Sequence, residues 1–440
     1  MGTALPSLLS PGDPGWDDAR TAWNLAVDQR PAAVALPRSA QEMAAAVGVA
    51  RERGLRIAVQ GSGHGAGRVA VDDGVMLIRT RGLSEVRIDA AARRAHLGAG
   101  VAWGDVTGLA AEHGLAAASG SAATVCPVGY LTGGGHGWLA GRHGLGANDL
   151  LAVELVTADG EILRIDDQAD DEVMWALRGG GGGFAAITAV KVGLHEVGDI
   201  AGGGLFWPIE RAGEVLEAWR SWSGSVPEGV TTIGRLLRFP PIEPVPEPLR
   251  GRSFVVVEAV DLEGIDRLGE LLGPLFELGP EMDMIRPMRP TDLWQVHMDP
   301  PEPVPSYGGG MLLDPLPAEA VAAVVEAGTE GPGAALLGAE IRRLGGPVAR
   351  ARAEGVVCAV REAAALYCVG IAATPELQAA AEQGVAAVRG ALAPWASPRS
   401  LPNLAAEADP VATLFPPDDL ARLTAVADRL DPDGVFLRRG

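Results

Sequence analysis

Short apolar runs, each stopped by glycine, proline or a charged residue, organise the first half of the chain. Val34 to Leu36 is apolar and ends at Pro37, which predicts a short strand. Ser39 is placed to cap a helix whose apolar positions include Met43, Val47 and Val49, with Gly54 as its stop. Ile57 to Val59 predicts a second strand, running straight into "GSGHGAG". "VMLIRT" is rich in strand formers, and "VRIDAAARRAHLGAG" predicts a hairpin. "AWGDVTGLAAEHG" predicts a short helix. "DLLAVELVTADGEILRI" predicts a strong hairpin turning at Ala158-Asp159-Gly160, and "GFAAITAVKVGLHEV" predicts a further strand.

Near Ile200 the pattern changes. Prolines concentrate in "FPPIEPVPEP" and "DPPEPVPSYGGG", which must be loops because proline removes a backbone donor. Between them "SFVVVEAV" predicts a strand and "GIDRLGELLGPLFEL" a helix. The stretch 198–400 is therefore a second domain, and the terminal "DPVATLFPPDDLARLTAVADRLDPDGVF" is compact again. A chain of 440 residues is long enough for two cores.

Charge narrows the partners. With 36 basic and 56 acidic residues the formal charge is −20, which argues against nucleic acid and against an anionic membrane surface. No apolar run is long enough to suggest a membrane span. Schiff-base chemistry has one candidate lysine, Lys191, on a predicted strand. Cys126, Cys358 and Cys368 form no C-x-x-C pair, so no disulfide framework or metal site is expected. The first residues lack the basic and apolar segments of a signal peptide, and a cytoplasmic protein is expected.

Two glycine-rich runs carry the candidate chemistry. In the first, Gly61, Gly63 and Ala66 satisfy G-x-G-x-x-[G/A]. A dinucleotide loop of the Rossmann kind must open into a helix. The residues that follow, "RVAVDDGVMLIRT", are β-branched and turn-like instead. A cradle of successive backbone N–H groups can hold phosphates without that helix. The second run, "ASGSAATVCPVGYLTGGGHGWLAGRHGLGANDLL", places Gly133, Gly134 and Gly135 in a row. Two such runs separated by strands could grip one extended cofactor from two sides.

At these residues the chain resembles the FAD-linked oxidases of the vanillyl-alcohol-oxidase and p-cresol-methylhydroxylase fold, most of all the berberine-bridge-enzyme-like branch. The segments that carry the likeness are "PAAVALPRSAQEMAAAVGVARERGLRIAVQGSGHGAG", "VGYLTGGGHGWLAGRHGLGANDLLAVELVTADGEI" and "DDLARLTAVADRLDPDGVF". The resemblance implies an α+β fold. Its FAD-binding domain has a first part over 1–197 and a C-terminal berberine-bridge-like segment over 401–440, with an inserted substrate domain of antiparallel sheet and helices over 198–400. It implies FAD held by Gln60, Gly61, Ser62, Gly63, His64, Gly65, Gly120, Ser121, Gly129, Thr132, Gly133, Gly134, Gly135, His136, Gly137 and Val156. In that family the loop histidine commonly bonds to the flavin 8α-methyl, and His64 stands at that position.

Some positions depart from the family. Gln60 replaces an arginine common before the loop. The second attachment point of some members, a cysteine, falls near Ala122, which leaves Cys126 a packing residue near the flavin. The C-terminal tyrosine position is Leu401, while Asn403 is retained. Candidate catalytic residues are thus Asn403, His297 and Tyr307, with Arg235, Arg238, Glu340 and Arg342 as further polar candidates and Tyr367 read as core. The expected function is oxidation of a small alcohol, sugar or secondary metabolite by hydride transfer to flavin N5, with oxygen reoxidising the flavin to give hydrogen peroxide. A same-fold dehydrogenase using another acceptor, and a flavin-dependent cyclase, are the alternatives.

Overall fold

The computed structural model describes residues 5–439. Its first sheet has four strands in the order Ser7–Leu9, Ala33–Leu36, Val75–Arg79, Arg56–Gln60, the last three mutually parallel. The helix Ala40–Glu52 begins at Ser39, whose side chain accepts the Glu42 N–H at 3.1 Å. Met43, Ala46, Val47 and Ala50 recur at helical spacing and bury one face against Ile57, Met76 and Ile78 of the sheet. After Gln60 the chain makes only the three-residue 3₁₀ turn Ala66–Arg68. The strand therefore does not feed a helix whose N-terminus could face a diphosphate, and the first glycine run is not a Rossmann loop.

A second, five-stranded antiparallel sheet follows in the order Val86–Asp89, Arg94–Gly98, Ala186–Gly193, Leu150–Val156, Ile162–Asp166. It contains both hairpins expected from the sequence. The chain end comes back to this region. The helix Pro417–Leu430 buries Leu423, Val426 and Ala427 in the same core as Val173 and Met174 of the helix Asp171–Leu177. Leu437 N–H then donates to Ile57 C=O at 2.7 Å, beside the strand that leads into the first glycine run.

Residues 200–371 supply a large antiparallel sheet of eight strands. Its central strands are Val230–Arg238, Ser253–Asp261, Gly338–Arg343 and Ala364–Ile371. Side chains alternate between faces, as the two-residue strand repeat requires. One set, including Leu236, Val255, Val257, Ile341 and Leu366, packs under the helices Ala212–Ser223, Ala318–Thr329 and Pro375–Ala391. The opposite face carries Arg235, Glu258, Glu340 and Tyr367, with Arg235 opposite Glu340 and Glu340 opposite Tyr367 across the strands. The expected helix in "GIDRLGELLGPLFEL" is split into Ile265–Leu271 and Gly273–Phe276, since Pro274 lacks the N–H that would continue it.

The large sheet is tied to both glycine runs. Thr231 Oγ1 donates to Trp138 C=O at 2.7 Å and accepts Gly141 N–H at 2.9 Å. Asn24, next to the first run, exchanges two hydrogen bonds with the backbone of Ser306 at 2.9 and 3.0 Å.

Candidate active site

The first glycine run emerges from a strand end, so its backbone is free of ladder pairing. Among the described residues, the N–H groups of Gly61, Gly63, His64 and Gly65 have no acceptor within the chain. Gly63 sits at φ +91°, and a Cβ there would lie 2.9 Å from that of Ala22. Only glycine suits that combination of left-handed backbone and close approach. The packing is equally tight at Gly61, where a Cβ would come 2.9 Å from Cys126 Sγ. Cys126 thus occupies a packing position beneath the loop, its thiol pKa pushed up by burial.

His64 is fixed on three sides. Ser62 Oγ lies 2.9 Å from its Nδ1, Thr124 Oγ1 lies 3.3 Å from its Nε2, and the Trp23 indole stacks on its ring. Burial lowers its pKa to about 4, against a smaller opposing pull from Asp299. The imidazole is therefore neutral at physiological pH, the state in which a ring nitrogen is nucleophilic.

The second run is braced from the C-terminal segment. Asn403 Oδ1 accepts Gly135 N–H at 2.8 Å, Asn403 Nδ2 donates to Gly129 C=O at 3.3 Å, and Asn403 N–H donates to Gly133 C=O at 3.3 Å. Asn403 therefore spends its polar atoms on the loop, a correction to the catalytic role expected of it. A Cβ on Gly133 would collide with the Asn403 amide. Thr132 is buried, and its C=O accepts Gly181 N–H at 2.8 Å. His136 is buried with both ring nitrogens unpartnered, and its pKa falls to about 3 through burial and then the nearby Arg342. Gly120 and Gly137 allow close contact with the Tyr130 ring and the Ser119 carbonyl respectively. Ser121 Oγ donates to Asp299 Oδ2 at 2.6 Å. Val156 stands apart from these loops: its side chain is fully buried in the core behind the first helix, so it is a packing residue.

Facing these loops is a buried ionic row on the open face of the large sheet. His297 holds Glu258 Oε2 at 2.7 Å through Nδ1 and Glu340 Oε2 at 3.0 Å through Nε2. Arg235 pairs with Glu258 at 2.8 Å, and Arg342 with Glu340 at 2.6 Å. Burial and Arg235 push the His297 pKa down, yet Glu258, Glu340 and Asp299 together lift it to about 9. Burial works against the charge on Glu340, but Arg342 and His297 hold its carboxyl well below the usual range. His297 is thus an imidazolium clamped between two carboxylates. Asp299 extends the row toward the glycine runs, 4.0 Å from His297 Nε2 and bonded to Ser121.

Tyr307 lies outside this row. It packs with the helix-covered core, so it does not face the loops, a second correction to the expected catalytic set. Tyr367 lies on the other face of the sheet and packs against the core there, as expected, with its pKa raised to about 12, mainly by burial. Its hydroxyl stands where a Cβ on Gly308 would be. Glu258 and Asp299 escape a sequence reading, although a lone glutamate inside the apolar run "SFVVVEAV" is a recognisable sign of a buried, paired charge.

Comparison with known proteins agrees with this layout. Residues 31–166 match the family described as FAD binding domain. The chain is 36% identical over 190 residues to (R)-6-hydroxynicotine oxidase of Paenarthrobacter nicotinovorans, a match covering 43% of this chain and 42% of that protein. The matched stretch thus spans less than half of that relative's length. Among solved structures, BBE-like 1 of Physcomitrella patens superposes with a TM-score of 0.84 at 18% identity, over 99% of this chain and 96% of that one. Glucooligosaccharide oxidase of Acremonium strictum, described with a 6-S-cysteinyl, 8α-N1-histidyl FAD, superposes with a TM-score of 0.80 at 21% identity, over 99% and 96%. The molecule has the α+β fold of FAD-linked oxidases of the berberine-bridge-like kind.

The residues present fit FAD. The first run offers N–H groups without acceptors in the chain, on the buried Gly63 and the half-buried Gly61, His64 and Gly65, and His136 adds two buried, unpartnered ring nitrogens that call for partners from outside the chain.

Proposed function

We propose that the protein is an FAD-linked oxidoreductase that oxidises a small organic substrate between the two glycine runs and the ionic row of the large sheet. The observation that carries this reading is the setting of His64: a neutral imidazole held by Trp23, Ser62 and Thr124 within a run of free backbone N–H groups, with Asp299 acting on it through space. Gly61, Gly63 and Gly65 would hold the diphosphate, His136 a polar edge of the cofactor, and His64 the flavin through a covalent bond to its 8α-carbon. The histidyl link named for glucooligosaccharide oxidase supports that assignment. When bound, the flavin would supply two-electron oxidation of the substrate, with oxygen as the final acceptor and hydrogen peroxide as the product.

The chain's own residues handle the protons. Tyr367 keeps its proton at neutral pH because burial disfavours the phenolate, so it serves as a hydrogen-bond donor that orients the reacting oxygen. Asp299, which accepts the Ser121 hydroxyl and lies 4.0 Å from His297 Nε2, is the proton acceptor. Oxygen uptake with a panel of alcohols, sugars and hydroxylated nitrogen heterocycles, followed with peroxide detection, tests the reading. Turnover that needs an added electron acceptor and leaves oxygen unconsumed would contradict the oxidase assignment.

A further inference from the structure

Arg79 ends the strand Val75–Arg79 directly opposite Gln60, the residue that leads into the first glycine run. It is 7% exposed. One guanidinium nitrogen donates to Thr21 C=O at 2.8 Å and to Gln60 Oε1 at 2.7 Å. Nε is buried without a partner. Among the described residues no carboxylate pairs with it. Asp18, which acts on it through space, is itself paired with Arg81 at 2.8 Å. Burial lowers the Arg79 pKa to about 10, which still leaves it charged at neutral pH.

A buried cation without an anion is costly. Its place in the fold identifies what could compensate. The Gln60 oxygen that Arg79 holds lies 3.1 Å from where a Cβ on Gly63 would be. The charge therefore sits at the base of the same run whose N–H groups at Gly61, Gly63, His64 and Gly65 are free. A positive charge beneath a run of backbone N–H groups without acceptors in the chain is an arrangement suited to a phosphate-sized anion.

We infer that Arg79 is an anion-binding residue of the cofactor cradle, supplying from a neighbouring strand the counter-charge for the diphosphate of FAD. The inference rests on the reading of the two glycine runs as an FAD cradle. The competing explanation is that Arg79 merely staples Thr21 to Gln60. The two differ in what happens to ligands with and without phosphate. The staple predicts an equal loss for all of them, whereas the counter-charge predicts a loss only where phosphates are present.

The test uses the full chain carrying His64→Ala, so that flavin exchanges, freed of cofactor by dialysis at high salt. FAD, ADP and riboflavin are titrated into this parent and into its Arg79→Gln and Arg79→Lys derivatives. The expected result is an FAD and ADP affinity about ten- to a hundredfold weaker for Arg79→Gln, with riboflavin unchanged and Arg79→Lys intermediate. The parent's FAD affinity should also fall more steeply with salt than that of Arg79→Gln. Equal FAD affinity in parent and Arg79→Gln, or a parallel loss of riboflavin, overturns the inference. A parent that binds neither FAD nor ADP overturns the cradle reading itself.

Discussion

The imidazole of His64 lies flat against the indole of Trp23, with ring centroids 4.0 Å apart and planes 13° from parallel. This stacking, with Ser62 and Thr124 on the two ring nitrogens, leaves the histidine little freedom to turn. A covalent bond to a flavin needs that orientation, since a reacting atom must sit near its target before the step occurs. Trp23→Ala should therefore reduce the fraction of chains with acid-stable flavin severalfold while FAD still binds. In-gel flavin fluorescence after denaturation measures it. An unchanged covalent fraction would show that the indole plays no part in aiming the ring.

The charged row makes stability depend on pH in a definite direction. The folded state raises the His297 pKa from 6.5 to about 9, so it holds a proton that the unfolded chain releases in that window. The resulting stabilisation is complete below pH 6.5 and is lost as pH rises toward 9. His64 and His136 act in the opposite sense: their folded pKa values, about 4 and about 3, lie below 6.5, so stability is lost as pH falls through that range. The melting temperature should peak near pH 6.5 and decline on both sides. His297→Gln should flatten the alkaline limb. A wild-type melting temperature that stays level from pH 6.5 to 9 would mean that the row does not retain this proton.

Asn403→Ala removes the acceptor of Gly135 N–H and the donor to Gly129 C=O. Breaking the part-buried bond to Gly135 leaves its N–H without an acceptor, at about 1–3 kcal/mol, so both the melting temperature and the flavin content should fall. Flavin per chain and thermal unfolding are the measurements. A variant that keeps its flavin and its stability but turns over slowly would return Asn403 to a direct role in catalysis.

The two tyrosines are separable. Tyr367→Phe removes the hydroxyl that orients the reacting oxygen, and turnover should fall by about tenfold, the worth of one hydrogen bond. Tyr307→Phe alters the helix-covered face and should change turnover by less than about threefold. Steady-state rates of the two variants decide. The reverse order would place the substrate on the wrong side of the sheet.

Much of this was legible in the residues. The capped helix from Ser39, both hairpins of the second sheet and the absence of a helix after "GSGHGAG" follow from local periodicity and turn chemistry. The two glycine runs are equally local signals. The ionic row is not local. Arg235, Glu258 and Glu340 come from three separate strands that only register and alternation put on one face, and His297 reaches them from the short helix Trp294–His297. That alternation also separates Tyr307 from Tyr367. Each looks alike in a half-apolar strand until the helices above one face are known. Asn403 misled for a related reason: its position near the site is visible in the sequence, but its hydrogen-bond partners 268 and 274 residues away are not.

FAD is expected to lie across the two glycine runs, bonded to His64. Acid precipitation of the purified protein, followed by mass spectrometry of its tryptic peptides, tests it most directly. The sequence offers cleavage after Arg56 and Arg68, so His64 falls on its own short peptide, Ile57 to Arg68. The account predicts a yellow pellet and that peptide carrying the mass of FAD. A colourless protein, or flavin released wholly into the supernatant, would contradict it.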